Sequence, residues 1–138
     1  MAAISYLEYS NRDMKYAKDM FSLENYDPCG RFCQQSVEKR LKHYIEMRGI
    51  TDDIPILRIH SLARLYTRVC ALSKSNEDRA TRGDLHQLTS YYFDTNYPSE
   101  ASIELTRELA GEALEIAETA NKWVDSLLDS ESTSSSLC

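Results

Sequence analysis

From Phe32 to Glu46 the sequence FCQQSVEKRLKHYIE contains no glycine or proline, and its apolar residues recur at helical spacing. Cys33, Val37, Leu41, Tyr44 and Ile45 share one stripe of a helical wheel, while Gln35, Lys39, Lys42 and Glu46 lie opposite. The same period returns elsewhere. A first helix is expected from near Ile4 to near Leu23, with Tyr6, Leu7, Met14, Ala17 and Phe21 inward. Asp27-Pro28 then starts the second helix, which carries the opening stretch to Gly49. ITDDIPILRIH reads as a loop because Pro55 opposes helix continuation.

A shorter third helix begins around His60-Ser61, burying Leu62, Leu65, Val69 and Leu72 and showing Arg64 and Arg68 outside. SKSNEDRATRGD reads as irregular, and a fourth helix follows with Leu85, Leu88, Tyr92 and Thr95 on one side. The last helix starts between Ser99 and Thr106 and runs to about Leu128, with Ala110, Ala113, Ala117, Ala120, Val124 and Leu127 as its seam. The expected fold is all-α: an antiparallel up-and-down bundle of four main helices plus a shorter one. Residues 1–128 form this single unit, and the polar tail 129–138 is expected to be disordered.

Composition removes several function classes. No apolar run approaches the roughly 18 residues that span a bilayer, and the N-terminus lacks a basic region followed by an apolar one. The expected location is therefore the cytoplasm, with no membrane partner. Cys29 and Cys33 are one helical turn apart, but no second pair completes a tetrahedral set, so no metal is expected and the thiols read as small core residues. There is no Gly-rich phosphate loop, no Gly-x-Ser-x-Gly and no His-Glu-x-x-His, and no cofactor is implied. The net charge of −6 opposes general affinity for nucleic acid, but it is unevenly spread. Residues 31–82 hold eleven Lys/Arg against six Asp/Glu, whereas 99–131 hold two against nine. The middle can meet a phosphate-bearing partner through Lys39, Arg64 and Arg68, or the asymmetry is only that of solvated helix faces.

Gln34 lies inside the apolar stripe of the second helix, one turn before Glu38. A buried amide and carboxylate must be satisfied, because each orphaned group costs roughly 1–3 kcal/mol. Three segments around this pair resemble the HEPN domain family. CQQSVEKRLKHYI resembles its second-helix signature, IHSLARLY the element after the loop, and YYFDTNYP with TRELAGEALEIAETANKWV its Tyr-rich helix and long final helix. Together they cover roughly residues 6–128 in the family's order. The resemblance implies a helical bundle that dimerises and works with a nucleotidyltransferase or a nucleotide-related ligand. Nine tyrosines, more aromatic surface than one small core can cover, also point to a homodimer.

Carried onto this chain, the resemblance makes Gln34, Glu38 and His60 structural polar residues. Asn96 stands where the family usually has Arg before Pro98, while Tyr92 and Tyr97 remain able to stack on a base. Catalytic relatives are metal-independent ribonucleases with an Arg followed by a His, and Arg79 and His86 match the loosest form of that spacing. His would move the ribose 2′-hydroxyl proton and Arg would stabilise charge on the phosphate. Against catalysis stand Ala80, where a polar residue is expected, and Gly83-Asp84, which place the helix start after Arg79. The leading reading is a non-catalytic module for a nucleotide or RNA ligand or a partner nucleotidyltransferase. The alternatives are a ribonuclease using Arg79 and His86, and a purely structural dimerisation domain.

Overall fold

A computed structural model describes residues 5–48, 54–96 and 104–136. It contains α1 (Tyr6–Ser22), α2 (Tyr26–Met47), α3 (Ile54–Leu57), α4 (Leu62–Ser73), α5 (Arg79–Asn96) and α6 (Arg107–Ser136), and no strand among the described residues. The expected all-helical antiparallel bundle is what forms.

Each turn has a local cause. Ser5 caps α1 by accepting from the Glu8 amide at 3.1 Å. The helix ends where Glu24 adopts a left-handed φ of 62° and the Asn25 amide reaches back to the Met20 carbonyl at 2.8 Å. That tight reversal lays α2 back along α1. Pro28 falls in the first turn of α2, where its missing N–H costs nothing.

The second helix is the axis of the bundle. α1, α4, α5 and α6 all pack on it, so side chains around its circumference are buried, from Cys29 and Gly30 through Ser36 and Arg40 to Ile45. This overturns one reading of the wheel: Lys42, placed on the outer side, is buried, because a helix surrounded on several sides has a narrow outer face. Against α2 lies the alanine seam of α6. Ala110, Ala113, Ala117, Ala120 and Val124 are all buried, as the small side chains allow close approach. At one end of this contact Leu105 sits on Gly30, where an added Cβ would come within 2.5 Å of Leu105 Cδ1. The Leu105 amide donates to Asp27 Oδ1 at 2.8 Å. Near the middle, Ser10 of α1, Ser36 of α2 and Asn121 of α6 form a neutral knot, with the buried Asn121 Oδ1 left without a hydrogen-bond partner among the described residues. Ser10 Oγ donates to the Ser36 carbonyl at 2.7 Å, Ser36 Oγ to the Ser10 carbonyl at 2.8 Å, and Asn121 Nδ2 to Ser36 Oγ at 3.0 Å.

Three segments differ from the sequence reading. Residues 54–57, expected as loop, make one helical turn with Pro55 in its first turn, where proline is tolerated. The segment ATRGD is helical, since α5 starts at Arg79 and runs through Gly83. Asp78 caps it, accepting from the Thr81 amide at 3.0 Å and hydroxyl at 2.7 Å. The polar stretch after residue 128 is helical as far as Ser136 rather than disordered. Glu131 explains it: the carboxylate accepts from the buried Tyr44 hydroxyl and pairs with Arg48 at 3.1 Å, tying these turns to α2. Of the described tyrosines, Tyr44, Tyr66 and Tyr91 are buried, Tyr6, Tyr9, Tyr26 and Tyr92 are partly exposed, and Tyr16 is exposed.

Candidate functional site

Gln34, Glu38 and Lys42 follow one another at single-turn spacing on α2 and are all buried. Glu38 is their centre. Oε2 accepts from Lys42 Nζ at 3.0 Å, and Oε1 accepts from Gln34 Nε2 at 3.0 Å. The fourth member is His60, whose Nδ1 lies 3.0 Å from Glu38 Oε1. Its approach is fixed by the start of α4, where the Leu62 amide donates to Thr89 Oγ1 at 3.0 Å and Ser61 caps the helix. Gln34 Nε2 also reaches the His60 carbonyl at 3.1 Å.

Burial alone would raise the Glu38 carboxyl, but the Gln34 hydrogen bond and the Lys42 charge outweigh it and hold the group below the ordinary glutamate range. An ionised carboxylate only accepts, so the proton between it and His60 belongs to Nδ1. His60 is the one half-exposed member, with 52% of its side chain open against 5% for Glu38. Its ring stacks on Tyr92 of α5, centroids 5.9 Å apart and planes inclined by 18°. Gln34 Oε1, buried beneath, has no hydrogen-bond partner among the described residues. The cluster thus presents an oriented imidazole and an aromatic face at the surface, backed by a buried ion pair.

The other sequence-predicted residues are placed differently. Arg79 and His86 lie on one continuous helix, seven residues apart, and both are exposed. That spacing is two turns, about 10.5 Å along the axis, and puts them on the same outward stripe. Neither lines the cavity beside Trp123 or the small one at the start of α2, and Gly83 between them faces open space. Arg64 is exposed in the first turn of α4, and Arg68 is partly buried one turn on. Lys39 is partly buried and acts electrostatically on Asp13 of α1, whose carboxyl is raised by burial against the opposing pull of Lys39 and Arg12. Only the backbone of Asn96 is described, and Tyr97 lies outside the described residues.

Sequence reasoning missed Lys42 as a member of the cluster, and it missed a cleft. A cavity of about 420 Å³ opens between α6 and the start of α5, walled by Leu41, Tyr66, Leu85, Ile116, Ala120 and Trp123 and rimmed by Asn76, Asp78, Thr81, Asp84, Glu115 and Thr119. Tyr66 and Trp123 meet edge to face at 5.3 Å, and the Asp78 amide donates to the Tyr66 hydroxyl at 2.7 Å. The sequence signal was there in α6, where residues 115, 119 and 123 recur at one-turn spacing. Among the described residues no three His, Cys, Asp or Glu side chains converge as a metal site, and no helix is long and apolar enough to cross a membrane.

A sequence model of the HEPN domain family matches residues 4–127. The crystal structure of an archaeal HEPN homologue is similar in fold, with a TM-score of 0.67, 21% sequence identity, and coverage of 88% of this chain and 93% of that one. Among curated proteins no match is found.

Proposed function

The chain belongs to the HEPN domain family, and from that premise we propose that it is a non-catalytic binding module for a nucleotide or RNA ligand, centred on His60 and Tyr92. The observation that carries this reading is the half-exposed His60 ring, stacked on Tyr92 and oriented by the buried Glu38. A base stacks on such a surface at about 1–3 kcal/mol. Arg64 stands one turn into the helix that follows and supplies a cation for phosphate. The module works as a cytoplasmic homodimer, and a partner nucleotidyltransferase would deliver or consume the ligand.

Titration with AMP, ATP and a short single-stranded RNA, followed by NMR shifts, tests this directly. Saturable shifts centred on His60 and Tyr92 are expected, weakened in Tyr92→Leu and Arg64→Ala. Absence of binding by all three probes overturns the reading. Sedimentation should give about twice the chain mass of 15.9 kDa.

The ribonuclease reading keeps one observation in its favour, the shared outward face of Arg79 and His86. A second copy laid on that face would supply the missing wall of a cleft. Cleavage of single-stranded RNA in chelator, lost in both Arg79→Ala and His86→Ala, would replace the non-catalytic reading. No cleavage by the wild-type chain is expected.

A further inference from the structure

The cleft between α5 and α6 has a chemistry opposite to that of the His60 surface. Its walls come mainly from α5 and α6, with Leu41 of α2 and Tyr66 of α4 at the back. Glu115, Ile116 and Trp123 follow the one-turn repeat along α6, while Asp78 and Asp84 bracket the first turns of α5. The deep side is apolar and aromatic, with Trp123 set edge to face on the buried Tyr66. Around the mouth stand three carboxylates, Asp78, Asp84 and Glu115, and no Lys or Arg among the described residues lines the cavity.

The state of those carboxylates decides what fits. Asp78 spends one oxygen on capping α5. Asp84 and Glu115 make no ion pair or hydrogen bond among the described residues. Paired acidic side chains elsewhere on α6 show the contrast: Glu118 meets Lys18 at 3.3 Å and Asp125 meets Arg40 at 3.4 Å. A cavity with low-dielectric walls and one sign of charge at its mouth concentrates ions of the other sign and repels phosphate. Its volume of about 420 Å³ is in the range of small-molecule sites.

We propose that this cleft binds a small organic cation with an apolar ring or chain, the apolar body against Trp123 and Tyr66 and the ammonium or guanidinium among Asp78, Asp84 and Glu115. The aromatic walls favour such a ligand by apolar contact with its ring or chain. The site is independent of the His60 surface and does not need a nucleotide to be bound there.

The chain's single tryptophan lies in the cleft and reports on it. Three probes share one ring and differ in charge: 2-phenylethylamine, 2-phenylethanol and phenylacetate. None absorbs where tryptophan is selectively excited. Saturable change of Trp123 emission is expected with the amine, weaker response with the alcohol and none with the acid, and the amine response should weaken with added salt. Asp84→Asn and Glu115→Gln alter exposed side chains and should leave the helical circular dichroism unchanged. Each should weaken amine binding by about threefold, and both together by about tenfold. The proposal is overturned by no saturable response to the amine, by equal binding of amine and acid, or by unaltered amine affinity in the double variant.

Discussion

Two polar knots sit within one turn of each other on the central helix, and they have opposite designs. The Ser36 knot joins α1, α2 and α6 through neutral groups, every member buried. The Glu38 cluster is charged, ties α2 to the start of α4, and opens to solvent through His60. Neutral hydrogen bonds inside a core fix register at small net cost, because nothing ionic has to be desolvated. A buried Glu–Lys pair is a less economical way to hold helices together, since desolvation consumes much of the Coulombic gain. Here the pair lies beside an exposed imidazole that Glu38 contacts, and under the function proposed above it orients that ring. The comparison separates a structural polar group from one that supports a surface.

The largest effect should come from Glu38→Ala. It strands the Lys42 charge in the core and takes away one of the two acceptors of Gln34 Nε2, and a loss of about 3–5 kcal/mol is expected in urea unfolding. Adding Lys42→Met should recover part of that loss. A cost near that of a surface substitution would show that the cluster is solvated and the contrast false. The acid limb of stability gives the same test by titration. Because the folded Glu38 carboxyl lies below its ordinary value, its contribution is complete above the normal glutamate range and is lost as pH falls through the folded value. Glu38→Gln should remove that part of the acid limb, whereas Ser36→Ala should retain it.

Ser36→Ala ranks next. It orphans Asn121 Nδ2 and removes the Ser36 Oγ donation to the Ser10 carbonyl, while Ser10 Oγ keeps the Ser36 backbone carbonyl, for a cost of roughly 1–3 kcal/mol with no change in ligand binding. The smallest stability effect belongs to His60→Ala, about 1 kcal/mol, since water can replace a half-exposed ring. Yet that variant should abolish nucleotide-induced NMR shifts. If the ranking of stability and binding effects ran in parallel, the division between the two knots would fail.

Much of this was legible in the sequence, and the parts that were not share a cause. The alanine seam and the Gln34–Glu38 adjacency are local periodic facts, readable from a helical wheel. Lys42 was misread because a wheel assumes one buried face, whereas α2 is packed on several sides. The helical turns after residue 128 look disordered by composition, and only contacts from Tyr44 and Arg48, distant in sequence, hold Glu131. Gly83 looked like a breaker, but the Asp78 cap starts α5 upstream of it, and one glycine costs a helix only about 1 kcal/mol. The link from Glu38 to His60 and the acidic mouth of the cleft are tertiary facts that no local pattern encodes.

Leu105, seated on Gly30 and hydrogen-bonded to Asp27, brings the entrance of α6 to the entrance of α2. The chain from the entrance of α2 to the entrance of α6 is therefore an excursion that closes at this contact. Lengthening such a closed loop is inexpensive, since each doubling adds only about 0.6 kcal/mol of closure entropy. A side chain at position 30 is another matter, because its first carbon would meet Leu105 at 2.5 Å. The frame of α1, α2 and α6 can thus accept insertions of whole residues in the connections of that excursion more readily than one methyl group at this junction.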